Sequence, residues 1–147
     1  EGGVELIVVG GAAAVMHGSP TTTRDLDVVH RRTPENIARF LAVLSDLGAI
    51  IRDPAGRTLL PTAEALGGSG QLLLTTSLGD LDVLCVLHDG RDFDQLLEHT
   101  EEMQDGARRL RVLDLDTLIE VKAAANRPKD RLVLPVLLAL RERKQRE

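Results

Sequence analysis

One stretch near the start of the chain, residues 6–29, constrains the fold more than any other. Its apolar run over residues 6–9 predicts a buried strand, and Gly10 and Gly11 then predict a tight turn into a short Ala-rich helix that ends at Gly18. Backbone N–H groups and the positive end of the helix dipole meet at such a turn, and the missing side chains let an anion approach. We therefore expect Gly10 and Gly11 to contact a phosphate.

The second predicted strand of this stretch, residues 25–29, carries two carboxylates. Side chains alternate across a strand, so Asp25 and Asp27 are expected about 7 Å apart on one face, while Leu26 and Val28 face the core. Neighbouring carboxylates repel each other unless a proton or a cation neutralises them, and Mg²⁺ (or Mn²⁺) held together with substrate phosphates suits such oxygen ligands. The pattern predicts phosphoryl or nucleotidyl transfer. The alternative is a plain tight turn followed by a solvated strand end.

The same residues resemble the signature of the DNA polymerase beta-like nucleotidyltransferase superfamily: a hydrophobic residue, Gly, Gly or Ser, a spacer, and then Asp-hydrophobic-Asp/Glu-hydrophobic. Here Val9, Gly10 and Gly11 precede thirteen residues and then Asp-Leu-Asp-Val at 25–28. The resemblance implies an α/β (α+β) nucleotidyltransferase-type domain over residues 1–147, with a mixed sheet, packed helices and a C-terminal helical pair. It also implies catalytic and metal-binding roles for the Asp pair and a nucleoside triphosphate (NTP) as substrate.

A third carboxylate is predicted from two further strands, residues 71–76 and 81–86. In the resembled superfamily such a carboxylate lies on a neighbouring strand and faces the Asp pair across two metal ions, which activate the attacking hydroxyl and stabilise the leaving pyrophosphate. Asp82 matches this position better than Asp80, which falls in the predicted turn and is as readily an ordinary turn residue. We expect Asp82 to be catalytic, to bind metal, and to lie on the same side of the sheet as Asp27.

The segment KAAANRPKD, residues 122–130, carries the second motif. Lys122 continues the apolar stripe of a predicted helix, either as a lysine at the edge of the core or as a cation directed at a triphosphate. The segment resembles the K-x-x-A-x-R-P-K-D signature of small bacterial nucleotidyltransferase-like proteins, including the abortive-infection type toxins of toxin-antitoxin systems. That resemblance implies active-site roles for Lys122 and Asp130 and places Arg127 and Lys129 beside the phosphates. An equally good alternative for Asp130 is a structural role in the first turn of a new helix.

Other residues receive weaker predictions. Ser19 is expected to bond a phosphate, and Arg24 is expected to form a salt bridge or to contact a phosphate. The remaining pattern predicts a helix ended by Gly48, an irregular segment 53–70 that is either a lid or contains a helical turn at 62–66, a short helix at 92–98, a hairpin around Asp105-Gly106, and a final helix that Pro135 kinks or restarts.

The composition of the chain limits how it could bind a nucleobase or a phosphate. The chain has 147 residues and no Trp or Tyr, and its aromatic residues are Phe40 and Phe93, which leaves little for stacking bases. Residues 1–105 hold 7 Lys/Arg against 17 Asp/Glu, whereas residues 106–147 hold 11 Lys/Arg against 6 Asp/Glu. Acidic metal ligands and basic phosphate contacts would therefore come from different parts of the chain.

The sequence also bears on where the protein is found. The single Cys85 is expected in the core, and no stretch is apolar enough for a membrane span or a signal peptide, so we expect a cytoplasmic protein. Because the chain begins with Glu1, the numbering is compatible with a start inside a longer gene product.

The sequence thus predicts a metal-dependent enzyme that transfers a nucleoside monophosphate to an acceptor: tRNA, a protein side chain or a small molecule. The alternative is a non-catalytic, nucleotide-binding or antitoxin-like protein of the same fold that binds a cognate toxin or antitoxin partner. An enzyme requires Asp25, Asp27, Asp82 and Lys122 to converge, whereas a partner protein requires an exposed apolar patch.

Overall fold

A computed structural model describes residues 3–20, 25–106 and 108–146 of the chain. Within these residues the strands are β1 (Leu6–Val9), β2 (Leu26–His30), β3 (Ile50–Ile51), β4 (Gln71–Thr76), β5 (Gly79–Leu84), β6 (Thr100–Asp105) and β7 (Arg108–Leu113). The helices are α1 (Gly10–Met16), α2 (Pro34–Asp46), α3 (Ala63–Leu66), α4 (Phe93–Leu96), α5 (Leu115–Ala125) and α6 (Pro128–Gln145), with a 3-10 turn at Leu97–His99. The strands form one mixed sheet in the order β3-β4-β5-β2-β1-β7-β6. The predicted α/β class with a mixed sheet is confirmed.

The first stretch folds as a strand, a glycine turn, a short helix and a strand, as predicted. β1 and β2 are antiparallel, and their register sets Val9 opposite Asp27. Val28 is 1% exposed in the core, but Leu26 is 42% exposed, so the prediction that it faces the core is wrong. Leu26 begins its strand at the open end of the sheet, where its apolar side chain gains little burial.

Helices cover both faces of the sheet and create two hydrophobic cores. On one face, α1, α5 and α6 pack over β1 and β7 around the fully buried Ile7, Leu113 and Leu137. On the other face, α2 and α3 pack over β4 and β5; this second core contains Val28, Ile37, Phe40, Leu44, Ala49, Leu66, Leu72, Leu74 and Val83.

β5 begins two residues earlier than predicted, which changes the position of Asp80. Asp80 lies inside the strand, opposite Thr75 of β4, and not in the turn. β5 also pairs with β2 in parallel, and this register places Asp82 directly beside Asp27. The strand order therefore brings the two carboxylate-bearing strands together although 55 positions separate the two residues in sequence.

The C-terminal helical pair reverses direction within two residues. Asn126 ends α5 in the left-handed conformation, with φ 49°, and Pro128 occupies the first turn of α6. α6 continues without a break through Pro135, so the helix is not restarted there. In the irregular segment, the predicted helical turn is confirmed as α3, whose first turn is capped by Thr62. None of the helices described is long and apolar enough to cross a membrane.

Candidate active site in the cleft beside strands β2 and β5

The glycine turn lies directly against Asp27. Gly10 has φ +64°, a conformation that side chains other than glycine disfavour, and a Cβ atom at this position would collide with the Asp27 carboxylate. The antiparallel register of β1 and β2 produces this approach, because it sets Val9 opposite Asp27. The two halves of the first motif thus form one continuous surface of backbone and carboxylate.

Asp27 has two carboxylates near it, and one of them, Asp82, is close enough to share a proton with it. Burial, repulsion by Asp82, a hydrogen bond with Asp82 and repulsion by Asp25 together raise the pKa of Asp27 to about 6, against an opposing effect of the positive charge of Lys129. Asp25 lies just before β2 and is exposed. The site therefore concentrates negative charge that a proton or a cation would neutralise.

Arg52, which directly follows β3, partly neutralises the negative charge of these carboxylates. Its guanidinium group forms an ion pair with Asp82, and a second one with Asp80 over 2.9 Å. The Asp80 carboxylate also accepts a hydrogen bond from the Thr75 hydroxyl over 3.3 Å. Asp80, the weaker candidate for the third carboxylate, thus acts in this structure as a partner of Arg52.

The second motif forms a cluster around Asp130, whose side chain is fully buried. Arg127 donates to this carboxylate from its Nε over 2.7 Å and from its backbone N–H over 3.1 Å, and Lys122 Nζ lies 3.6 Å away. Burial by itself would raise the pKa of Asp130, but the hydrogen bonds from Arg127 and the charges of Arg127 and Lys122 outweigh it and hold the pKa below its usual value. Asp130 thus fixes both cations at the corner between α5 and α6, and it also caps α6.

A cleft with a volume of about 680 Å³ joins the two motifs. Its lining includes most of the site residues that the sequence predicts: Gly10, Gly11, Asp25, Asp27, Asp82, Lys122, Arg127, Lys129 and Asp130. Ser19, predicted to bond a phosphate, is instead 6% exposed and is not part of this lining. Its burial beyond the end of α1 removes it from the cleft. Arg24 lies outside the described residues.

The carboxylates that line the cleft are oxygen donors of the kind that a divalent cation binds. Among the side chains that the structure describes, no three His, Cys, Asp or Glu residues are arranged as a ready metal-binding group, and Arg52 already occupies Asp82. Burial and the neighbouring carboxylates raise the pKa of Asp27, however, and the charge of Lys129 offsets this only in part. These residues therefore fit a Mg²⁺-type ion that takes one or two carboxylates from the protein and its other ligands from water and substrate phosphates.

Several cleft residues carry no signal in the sequence. Ser69 lies two residues before β4, Gln71 is the first residue of β4, and His88 follows the end of β5. None belongs to a recognisable motif, and strand alternation does not extend to His88 because β5 ends at Leu84. Arg52 was also missed, since only the pairing of β3 with β4 brings it to the carboxylates.

The fold is that of the nucleotidyltransferases. Among solved structures, the chain resembles the lincosamide antibiotic adenylyltransferase LnuA, crystallised with lincomycin bound, with a TM-score of 0.61 and 14% identity over 93% of this chain and 87% of that one. It also resembles a putative nucleotidyltransferase from Thermotoga maritima, with a TM-score of 0.56 and 15% identity over 93% of this chain and 83% of that one. By sequence, no protein-family model and no curated protein matches the chain.

Proposed function

We propose that this protein is a metal-dependent nucleotidyltransferase, which transfers a nucleoside monophosphate from an NTP to an acceptor hydroxyl. The observation that carries the proposal is the juxtaposition, in one cleft, of a glycine turn, the Asp27–Asp82 carboxylate pair and a cluster of three cations. The fold shared with an adenylyltransferase and a putative nucleotidyltransferase supports it.

Each group has a role that follows from its position. Asp25 and Asp27, joined by Asp82 once Arg52 releases it, would hold Mg²⁺ or Mn²⁺. The positive charges of Lys122, Arg127 and Lys129 would neutralise the triphosphate. The backbone of Gly10 and Gly11 would bind a phosphate as well, because these residues have no side chain to keep it away. Asp130 is a positioning residue, because it acts on the phosphates only through the two cations that it fixes.

The reaction follows from this placement. The acceptor oxygen attacks the α-phosphorus, the bond from that phosphorus to the bridging oxygen breaks, and pyrophosphate leaves toward the cations at the α5–α6 corner. The acceptor proton passes to water in the open cleft. When bound, the divalent ion supplies Lewis-acid activation of the hydroxyl and stabilisation of the phosphate charge.

The test is a thermal-shift assay with each of the four common NTPs, with and without Mg²⁺. A ligand that binds only the native state stabilises it by about 2.7 kcal/mol at a hundredfold excess over Kd, so one NTP is expected to raise Tm when Mg²⁺ is present. Lys122→Met keeps the aliphatic stem and removes the charge, and is expected to reduce this shift. The exposed Lys144, which is not in the cleft lining, provides the control Lys144→Met. No shift in the wild type with any NTP would refute the proposal.

A second candidate function is binding of a cognate toxin or antitoxin partner. It is favoured by two exposed leucines of α6, Leu132, which is 79% exposed, and Leu138, which is 41% exposed. Where exposed apolar side chains join into a patch, another protein often covers them. Co-expression with the product of the neighbouring gene, followed by co-purification of the wild type and of Leu132→Asp, tests it. Retention of a partner by both proteins, or by neither, would refute a role of Leu132 in binding.

A further inference from the structure

The cleft has an apolar floor directly beside the carboxylates. Leu73 of β4 is the register partner of Asp82, and Leu84 lies two residues after Asp82 on β5, so all three side chains lie on the same face of the sheet. Both leucines are only partly buried and line the cleft. Their neighbours Leu72 and Leu74 point to the opposite face and are buried under α2 and α3.

The floor continues into apolar walls. Val121 of α5 and Val133 of α6 line the same cleft, and Gln71, the register partner of Leu84, adds an uncharged polar group at the edge of the floor. Leu84 also packs against the first hydrophobic core, but both leucines remain partly exposed. Their exposed apolar surface contacts water, and a ligand with an apolar face would cover it.

The floor and the phosphate-binding cations of the cleft belong to different elements of the fold. The three cations come from α5 and α6, whereas the floor belongs to β4 and β5, with Asp27 and Asp82 between them. An in-line transfer requires the acceptor and the leaving pyrophosphate to lie on opposite sides of the reacting phosphorus. With the triphosphate at the cation cluster, the acceptor therefore belongs on the floor.

The charge on this side disfavours a nucleic acid. Asp80 and Asp82 flank the floor, and the nearby Arg52 is already paired with both of them. RNA binding requires free cations along the backbone and, for unpaired bases, aromatic platforms. The chain has no Trp or Tyr, and Phe40 and Phe93 are 3% and 4% exposed, so neither ring is available for stacking.

We propose that Leu73 and Leu84 form the acceptor site, and that the acceptor is a small alcohol without phosphate groups that carries an aliphatic face next to its reacting hydroxyl. This inference rests on the proposed nucleotidyltransferase function and specifies its substrate class. The cleft volume of about 680 Å³ lies in the range of small-molecule sites.

The experiment uses n-hexyl β-D-glucopyranoside as the probe, with D-glucose as the matched compound that lacks the aliphatic chain. Binding is measured by saturation-transfer NMR and titration calorimetry on the wild type, on Leu84→Gln and on the control Leu78→Gln. Leu78 is 83% exposed in the turn between β4 and β5 and does not line the cleft. The hexyl glucoside is expected to bind with saturation of its alkyl protons, glucose is expected not to bind, and Leu84→Gln is expected to weaken binding about tenfold or more. Leu78→Gln is expected to bind as the wild type does.

Transfer is then followed with α-³²P-labelled NTP and Mg²⁺, offering the hexyl glucoside and total tRNA in parallel. Label is expected on the glucoside and not on tRNA. The nucleotide-dependent Tm shift is expected to be equal in the wild type and in Leu84→Gln.

The outcomes separate the two proposals. A normal nucleotide shift in the wild type without glucoside binding, or with label only on tRNA, would overturn the acceptor assignment and leave the nucleotidyltransferase proposal standing. A nucleotide shift that Leu84→Gln abolishes would show that the floor holds the nucleobase, which also overturns the assignment. The absence of any nucleotide shift in the wild type would overturn both.

Discussion

Removing the charge of Asp27 is expected to stabilise the protein in the absence of metal. Its pKa is raised from 3.8 to about 6 because burial and the carboxylates of Asp82 and Asp25 disfavour its ionised form. Each pKa unit corresponds to about 1.36 kcal/mol, so ionised Asp27 lowers the free energy of unfolding by up to about 3 kcal/mol. Asp27→Asn keeps the shape and removes the charge. Asp82 is a less suitable target, since its substitution would also break the ion pair with Arg52.

The raised pKa of Asp27 also predicts how the stability of the wild type changes with pH. The folded state holds the Asp27 proton up to about pH 6, whereas the unfolded state loses it near pH 3.8, so the stability of the wild type falls as the pH rises through this window. The advantage of Asp27→Asn should be close to zero at the lower end and complete above the upper end. For a chain of this size, 3 kcal/mol corresponds to a rise in Tm of about 6–12 °C.

Thermal unfolding followed by circular dichroism, in EDTA and at several pH values between 4 and 8, measures this difference. Asp25→Asn provides the control, because Asp25 is a neighbouring carboxylate that is exposed, and its effect should be clearly smaller. A lower Tm for Asp27→Asn above pH 6, or a Tm difference that does not change with pH, would refute the conclusion that burial and neighbouring carboxylates raise the pKa of Asp27.

Three further predictions address other parts of the site. Gly10→Ala should destabilise the protein in urea unfolding by at least about 1 kcal/mol more than Gly48→Ala does. Both glycines have a left-handed φ, but only at Gly10 would the new Cβ atom meet Asp27. Equal losses of stability in the two variants would contradict the close approach of Gly10 to Asp27. Asp130→Asn should cost about 1–3 kcal/mol at pH 7, whereas the exposed Asp116→Asn should cost about 0–1 kcal/mol. Because the folded-state pKa of Asp130 is lowered, this contribution should be present above pH 3.8 and should disappear as the pH falls through the folded value; a loss that persists in acid would argue against it. Arg52→Met should release Asp82 and tighten Mg²⁺ binding, measured by calorimetry, by roughly tenfold. Arg57→Met, which affects only the ion pair with Asp53, should leave Mg²⁺ binding unchanged. Unchanged or weaker binding in Arg52→Met would contradict competition between Arg52 and the cation.

The sequence was sufficient for features that depend on local pattern. The apolar run, the glycine pair and strand alternation predicted β1, α1 and β2, and alternation together with the neighbouring-strand expectation placed Asp82 on the face of Asp27. The catalytic and metal-binding roles of these carboxylates stay predictions.

Features that depend on long-range pairing were not predictable. Arg52 reaches Asp82 only because β3 joins the sheet beside β4, and nothing near Arg52 in the sequence encodes that register. Leu26 has the apolar character of a core residue, but it is the first residue of β2 and is 42% exposed. For Asp130, the two alternatives are compatible, since the buried carboxylate both caps α6 and pairs with Lys122.

The two outermost strands of the sheet influence how the protein behaves at high concentration. Unpaired strand edges can hydrogen-bond to other chains and start aggregation, and short or charged edge strands prevent this. β3 has only two residues, and the N–H of Ile51 donates to the carbonyl of Leu59 over 2.8 Å, so part of that edge is already covered by the chain itself. At the other edge, β6 exposes Glu101 and Glu102, whose charges would repel an identical strand. Both edges thus oppose edge-to-edge pairing between the sheets of two molecules.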